Sequence, residues 1–454
     1  MPDYTVLGAR VSGLVLAPSD SAFAANVAGF NTAVTQSPQV AVCATTAQDV
    51  VEAVLFAREH GLPVHVQSTG HGAAAAYTEG VLITTGGLSE VSIDRETGIA
   101  TLGAGVRWGA VVETAAQLGL APISGSSTNV GVVGLVTGGG LGPLSRSHGF
   151  ASDYVRGFTV VTGRGELVEA TADENPDLFW ALRGGKGGLG IVTEVRVQLV
   201  ALSELYAGAL FFEEQHIEQA FRAWVEWTAS APADVTTSAA IYRFPPFDFI
   251  PEPLRGRTLL AIRFAYPGAA AEGQRLAEPL RSSAPVYMDQ LGVLPPAQVA
   301  MIHSDPDEPG AGWDRGVLLT HVDQDFATAL LAEAGAGVHV PVLLTEVRHI
   351  GEATHTDVEG GSAVGGRTGN FAVNLIGAPD ASLFAEVLPS VTDGVLAAIQ
   401  PWLSPEININ FAGRIRSAEH FASAWPAETF ARLARIRKRY DPDHVFPYGP
   451  TRFE

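Results

Sequence analysis

The sequence predicts an α+β protein assembled from two dissimilar parts. Three observations carry this. Glycine gathers in three stretches of the first half: Gly70-His71-Gly72, residues 124–142 (SGSSTNVGVVGLVTGGGLG) and residues 184–193 (GGKGGLGIVT). Strand-like and helix-like segments alternate along the whole chain with no fixed repeat. From about residue 203 the texture changes, because strands and helices continue but glycine clusters of that size do not. At 454 residues the chain exceeds one simple core, so two or three domains are expected.

Taken in order, residues 40–66 read as strand, helix, strand. Residues 39–42 are a short apolar run; Thr45 or Thr46 can cap a helix carrying Val50, Val51, Val54 and Leu55, and Gly61 can stop it. Residues 63–66 look extended and lead into the His71 loop. Residues 81–84 and 91–93 read as strands, 94–98 as a turn and 99–102 as the returning strand. Residues 108–118 fit a helix with Val111, Val112 and Ala115 on one face. A hairpin-like meander follows at 155–161 and 167–169. Asn175 is expected to cap a short helix with Pro176 at its first position, where proline's fixed φ and missing N–H cost nothing, and Gly184 to end it. Residues 191–199 alternate apolar with polar, as a half-buried strand does. Beyond 203, residues 210–212, 258–264 and 340–345 read as strands and 216–229 as a helix. A final helix spans 426–440, with Phe430, Leu433, Ile436 and Tyr440 on one face.

Composition narrows the function. A formal charge of −20 opposes binding to nucleic acid or an anionic membrane. The single cysteine, Cys43, excludes an internal disulfide or a cysteine-rich metal site. There is no signal-peptide pattern and no apolar run of about 18 residues, so the expected location is the cytoplasm. His60, His65 and His71 share no helix face, and HExxH is absent, so no metal is expected. Residues 185–190 match GxGxxG, but a helix precedes and a strand follows, the reverse of a dinucleotide fingerprint. Glycine's freedom at positive φ lets backbone approach a ligand and aim N–H groups at phosphate. With His71 alone on its loop, the pattern points to a large phosphate-bearing cofactor held by backbone.

Several longer motifs resemble one family. They are VHVQSTGHG at 64–72, residues 125–142, HGFASD at 148–153, NPDLFWALRGG at 175–185, NINF at 408–411 and YDPDHVF at 440–446. In this order they are similar to the berberine bridge enzyme-like flavoproteins of the vanillyl-alcohol oxidase superfamily, bracketing nearly the whole chain. The resemblance implies a PCMH-type FAD-binding domain in two pieces, residues 1–202 and 416–454. Between them, residues 203–415 are expected to form an antiparallel sheet, backed by helices and covering the flavin.

The resemblance also implies site residues. His71 is expected to bond covalently to the flavin 8α-methyl group, with Ser68, Thr69, Gly70 and Gly72 around it; the plainer alternative is a loop histidine that only hydrogen-bonds. Ser127 occupies the slot where many members carry a second linking cysteine, so a single covalent bond is expected, as in the singly linked members. Val130 falls at the oxygen-gatekeeper position, where valine leaves room for O2, or else it simply packs. Gly131, Gly134, Gly138, Gly139 and Gly140 belong to the same cradle, with Asp153, then Gly187, Gly188, Gly190, Ile191 and Val192, and finally Asn410. Departures from the family pattern are Tyr154, Gly188-Leu189, His444 and Asn408, the last replacing a frequent catalytic tyrosine.

A base must therefore come from elsewhere. Glu346, at the end of a strand-like run, is expected to be partly buried with a raised pKa; its alternative is a salt bridge with Arg348 or another arginine. Tyr242 is the second candidate, or else an interface aromatic. Arg348, His349 and Asn374 are further polar candidates, and Phe244 to Phe247 form an apolar lip or a packed turn. The resulting expectation is an FAD-dependent oxidase acting on a small secondary metabolite bearing an alcohol or ketone, with O2 reduced to H2O2. Alternatives are an oxygenase working through a flavin N5-oxide, as in polyketide tailoring, and a non-catalytic flavoprotein. The oligomeric state is left open, a homodimer being one outcome.

Overall fold

The computed structural model describes residues 2–202 and 204–448. Residue 203, the expected start of the second part, and residues 449–454, the end of the expected tail, lie outside them. Helix Ala47–Glu59 begins with a full capping box, in which the Thr46 hydroxyl accepts from Asp49 N–H and the Asp49 carboxylate accepts in return. Its apolar face covers a four-stranded sheet ordered Leu14–Leu16, Val40–Cys43, Val81–Thr84, Val64–Gln67, in which the last three strands are parallel. This is the strand, helix, strand reading of residues 40–66.

A second, antiparallel sheet runs Val91–Asp94, Ile99–Gly103, Ile191–Gln198, Val155–Val161, Leu167–Ala170. Its core takes in Phe421, Trp425, Leu433, Ile436 and Tyr440, so the final helix Ala427–Tyr440 returns to the first part of the chain. The GxGxxG-like run does follow a helix, Pro176–Leu182, and precede a strand, Ile191–Gln198.

The third sheet is antiparallel and ordered Met288–Asp289, Tyr206–Glu213, Thr258–Tyr266, Thr236–Arg243, Val342–His349, Phe371–Gly377, Asp314–Leu319, with Gly292–Val293 beside its first long strand. Helices such as Ile217–Thr228, Gln324–Ala334 and Val387–Ala398 bury one face against Ile241, Ile262, Phe264, Val347, Val373 and Leu375. There the Trp224 indole N–H donates to the Thr237 hydroxyl at 3.0 Å, which satisfies a fully buried donor. The opposite face, with Ala240, Ala261 and Leu344, turns away from these helices.

Two expectations need correction, and two strands were missed. Asn175 starts its helix but does not cap it with its side chain; it sits at φ 48, and its amide instead donates to the Glu169 carbonyl at 2.7 Å. The strand expected at 340–345 runs Val342–His349, because its charged members alternate with Thr345 and Val347 and so hide a two-faced strand. Strands Thr236–Arg243 and Phe371–Gly377, the neighbours of that strand, were not legible in the sequence at all.

Gly184 shows how closely segments distant in sequence pack against one another. It stands at φ +104, and an added Cβ would lie 2.5 Å from the Val364 backbone. Gly184→Ala is therefore expected to cost about 2–4 kcal/mol from backbone strain plus overpacking. A denaturation midpoint unchanged from the parent's would contradict this packing.

Candidate functional site

The loop after strand Val64–Gln67 carries the first glycine run. The Ser68 hydroxyl donates to the Ala104 carbonyl at 3.1 Å, and a Cβ on Gly131 would meet Ser68 Oγ at 2.9 Å and Thr69 at 3.4 Å. The first two glycine runs thus meet back to back. Gly70 needs its φ of +71 and the absence of a side chain, because a Cβ would come 2.6 Å from Gly29 Cα. Gly72 and Gly134 differ, since a Cβ on either meets nothing within 4 Å, and their backbone faces open space. Half-buried His71 follows Gly70, its Nε2 closed off without a hydrogen-bond partner. Burial, then the Arg107 charge, pushes its pKa down to about 4, opposed by the Asn129 backbone. The imidazole is neutral at pH 7 and keeps a lone pair. The Ser127 hydroxyl is also buried without a partner. Open glycine backbone, a neutral histidine and an orphaned hydroxyl on adjoining loops fit a large cofactor such as FAD.

Other members of the expected cradle are committed to protein contacts. Gly138 lies under Asn410, whose amide donates to the Leu135 carbonyl at 2.9 Å. Gly139 and Gly140, at φ 97 and 89, pack on Phe150, Val364, Ala151 and Leu135. Asp153 pairs with Arg367 at 2.6 Å and accepts the Phe150 N–H at 2.9 Å, so its carboxylate fixes this loop rather than standing open to a ligand. The third glycine run docks the tail: Cβ atoms on Gly187 and Gly188 would meet Tyr448, and Arg437 donates to the Gly187 and Gly185 carbonyls at 3.0 and 2.7 Å. Gly190 packs on Val160, while Ile191 and Val192 are the buried first residues of their strand. Val130 packs, partly buried, against the core of the second sheet.

Lys186 was not among the expected site residues. It holds a positive φ of 63, and its ammonium donates to Asn410 Oδ1 at 2.6 Å and the Gly134 carbonyl at 2.8 Å. Burial pushes its pKa down to about 8. The available signal was a lysine inside a glycine run.

The open face of the large sheet carries the polar groups. Strand pairing sets Ala240 opposite Glu346 and Glu346 opposite Asn374, with Ser238 opposite both Arg263 and Arg348. Glu346 is fully buried in mid-strand. Its Oε1 accepts from Ser238 at 2.8 Å and Arg263 at 2.5 Å, and its Oε2 accepts from Arg348 at 2.7 Å. Arg263 also donates to the Tyr242 hydroxyl oxygen. The expectation of a raised Glu346 pKa is overturned. Burial works to raise it, but Arg348 and then Arg263 outweigh burial and hold the carboxyl below its usual range. The salt-bridge alternative is the observed arrangement. Tyr242 is pushed up to about 12, with burial prevailing over the Arg263 charge.

His303, likewise unforeseen, sits with its Nε2 3.7 Å from Glu346 Oε1, and its pKa lies well below 6.5 through burial and then Arg263 and Arg348. Arg348 Nη1 and Asn374 Oδ1 are buried without partners. Ser238, Arg263, His303 and Arg348 line a narrow cleft of about 20 Å³. His349 points elsewhere, toward Arg146. Phe244 stacks on Tyr242 at 4.9 Å, while Phe247 and Phe249 are exposed beside one another, as an apolar lip requires.

Comparison with known proteins agrees with this geometry. Residues 38–171 match an FAD binding domain family. A 194-residue stretch is 37% identical to (R)-6-hydroxynicotine oxidase of Paenarthrobacter nicotinovorans, covering 42% of this chain and 42% of that enzyme. The aligned stretch thus spans about two fifths of that relative. The fold matches crystalline 6-hydroxy-D-nicotine oxidase of Arthrobacter nicotinovorans with a TM-score of 0.84 at 24% identity, covering 96% of both chains. It also matches a Physcomitrella patens BBE-like protein with a TM-score of 0.83 at 18% identity, covering 100% of this chain and 99% of that one. The family match, the fold and the cradle together define an FAD-binding protein. The overall fold is the one shared by 6-hydroxy-D-nicotine oxidase and the BBE-like protein. Among the described residues no helix is long and apolar enough to cross a membrane, and no cluster suited to a metal ion occurs.

Proposed function

We propose that the chain is an FAD-dependent oxidase of a small organic substrate, with residues 1–202 and 416–454 holding the cofactor and 203–415 the substrate. When bound, FAD supplies a two-electron acceptor for a hydride from substrate, and O2 then takes the electrons as H2O2. The observation that carries this reading is His71, neutral and half-buried beside open glycine backbone. Ser68, Thr69, Gly70, Gly72, Ser127, Gly131 and Gly134 hold FAD, and His71 forms its single covalent bond. Tyr242 meets the substrate hydroxyl or carbonyl as a neutral phenol, its oxygen held by Arg263, which partly offsets the burial that disfavours the phenolate. Glu346 acts by fixing Arg263 and Arg348, because a carboxylate between two guanidinium groups is a weak base. The substrate is a small metabolite with an apolar body, lying along Ala240, Ala261 and Leu344.

The test is the visible spectrum before and after acid precipitation, with mass mapping of the pellet. A yellow pellet with FAD mass on the His71 peptide is expected, and His71→Ala should release all colour to the supernatant. Parent protein that releases its flavin would end the covalent reading, and protein that takes up no FAD would end the oxidase reading. Labelled O2 separates the oxidase from an oxygenase, since only the latter leaves label in the organic product.

A further inference from the structure

We propose that Phe30 is a positioning residue for His71, holding the imidazole ring in the orientation that bonds FAD. The inference rests on the reading that His71 forms that bond. The two rings are stacked, with centroids 3.6 Å apart and planes 13° from parallel. The stack is not a chance side-chain contact, because the backbone holds it from both sides. Phe30 N–H donates to the Thr69 carbonyl at 2.8 Å, and Asn31 N–H to the Gly70 carbonyl at 3.4 Å. The Gly29 and Gly70 backbones are close enough that neither tolerates a Cβ without movement. Asn31 then anchors the segment, its amide donating to the Ala73 carbonyl at 2.9 Å and the Gly312 carbonyl at 3.1 Å.

His71 needs this support. Its Nε2 is sealed and has no hydrogen-bond partner, so no protein bond at that nitrogen fixes the ring. A flat aromatic face at van der Waals distance restricts rotation of the ring while leaving its edge open. Arg107 and Asn129 complete the surround; Arg107 donates to Asn129 at 3.4 Å, and Asn129 donates to Asp307 at 2.9 and 3.0 Å. The Arg107 charge disfavours imidazolium, which keeps the lone pair available.

Attachment replaces one 8α C–H bond of the flavin by a C–N bond. One proton leaves from that carbon and one from the imidazole. The two electrons pass to O2, the oxidant, which with the two protons becomes H2O2. Orientation of the nitrogen toward the 8α carbon governs the rate of such a step.

The test compares parent, Phe30→Leu, Phe30→Met and Phe30→Tyr as purified and during incubation with FAD in air. Total FAD per chain and the acid-precipitable fraction are both measured. Phe30→Leu and Phe30→Met should bind FAD at parental stoichiometry yet attach it about tenfold or more slowly, while Phe30→Tyr, which keeps the ring face, should attach it at the parental rate. Leucine or methionine variants that attach FAD as fast as the parent would overturn the proposal. So would a tyrosine variant as slow as leucine, since that indicates general disruption rather than loss of the ring. If the parent itself holds FAD without a covalent bond, the reading of His71 fails, and that result is distinct from a covalent parent with unaffected Phe30 variants.

Discussion

Glu346→Gln should destabilise the protein by about 3–5 kcal/mol, the loss expected when one member of a buried ionic network is removed. The carboxylate is fully buried, while the side chains of Arg263 and Arg348 are only 3% and 11% exposed. The glutamine variant leaves both guanidinium groups in place and takes away their negative charge. Its single amide oxygen cannot replace two carboxylate oxygens that accept three hydrogen bonds. Removing the charges together should cost less, because uncompensated charge is the expensive part; Glu346→Leu combined with Arg263→Met and Arg348→Met should recover part of the loss. Denaturant midpoints of the single and triple variants make the comparison. A single variant within about 1 kcal/mol of the parent would mean that the network contributes little to holding the open face of the sheet.

The second large effect is with pH. The parent should lose stability between pH 7 and pH 5 through His349, His303 and His71, with His349 alone contributing about 2 kcal/mol. His349 Nε2 lies 2.8 Å from Arg146 Nη1, and the guanidinium can only donate, so the imidazole must accept and be neutral. Protonation would set two donors face to face. Burial, then Arg146, pushes the His349 pKa down to about 3, and His303 is lowered by burial, then Arg263 and Arg348. Both folded-state values lie below the ordinary value of about 6.5. As pH falls through 6.5 the unfolded chain therefore binds protons that the folded chain refuses, and stability falls by up to about 1.4 kcal/mol per pH unit for each histidine. Glu346 does not contribute in this range. Its pKa is depressed, so its contribution is complete above the ordinary glutamate value and is lost only as pH falls further, through the depressed one. His349→Gln keeps an acceptor for Arg146 without a titrating ring, and it should remove the part of the slope that His349 supplies. Equal denaturation midpoints for the parent at pH 7 and pH 5 would show that these histidines are protonated in the folded state.

Much of the first part of the molecule was legible from local sequence. The helix after Thr46 announces itself through a capping residue, an acidic third position and a valine stripe. The final helix does so through the spacing of Leu433, Ile436 and Tyr440. The loop around His71 stands out because glycines flank a reactive side chain. In the third glycine run, the packing of Gly187 and Gly188 against Tyr448 and Arg437 leaves no trace in the local sequence. The open face of the large sheet was the least legible region. Strand Val342–His349 alternates Leu344, Glu346 and Arg348 with Thr345, Val347 and His349, and both sets are buried. Periodicity detects a strand by the contrast between a wet face and a dry one, and here that contrast is missing.

The sequence by itself determined what depends on near neighbours: the caps and periodic faces of individual helices, the turns that require glycine, the exclusion of an internal disulfide, and the motifs that mark an FAD-binding chain. Tertiary structure alone decided which distant side chains share a site. Arg263 meets Tyr242 across 21 residues of chain and Glu346 across 83, because the register of neighbouring antiparallel strands brings them level. The charge state of Glu346 followed from that register and from no property of its own segment. Phe30 reached His71 in the same way, through a backbone pairing between two loops that leaves no periodic trace in either. Hydrophobic pattern and turn chemistry act over a few residues, whereas the electrostatics of a buried site depend on every strand that meets there.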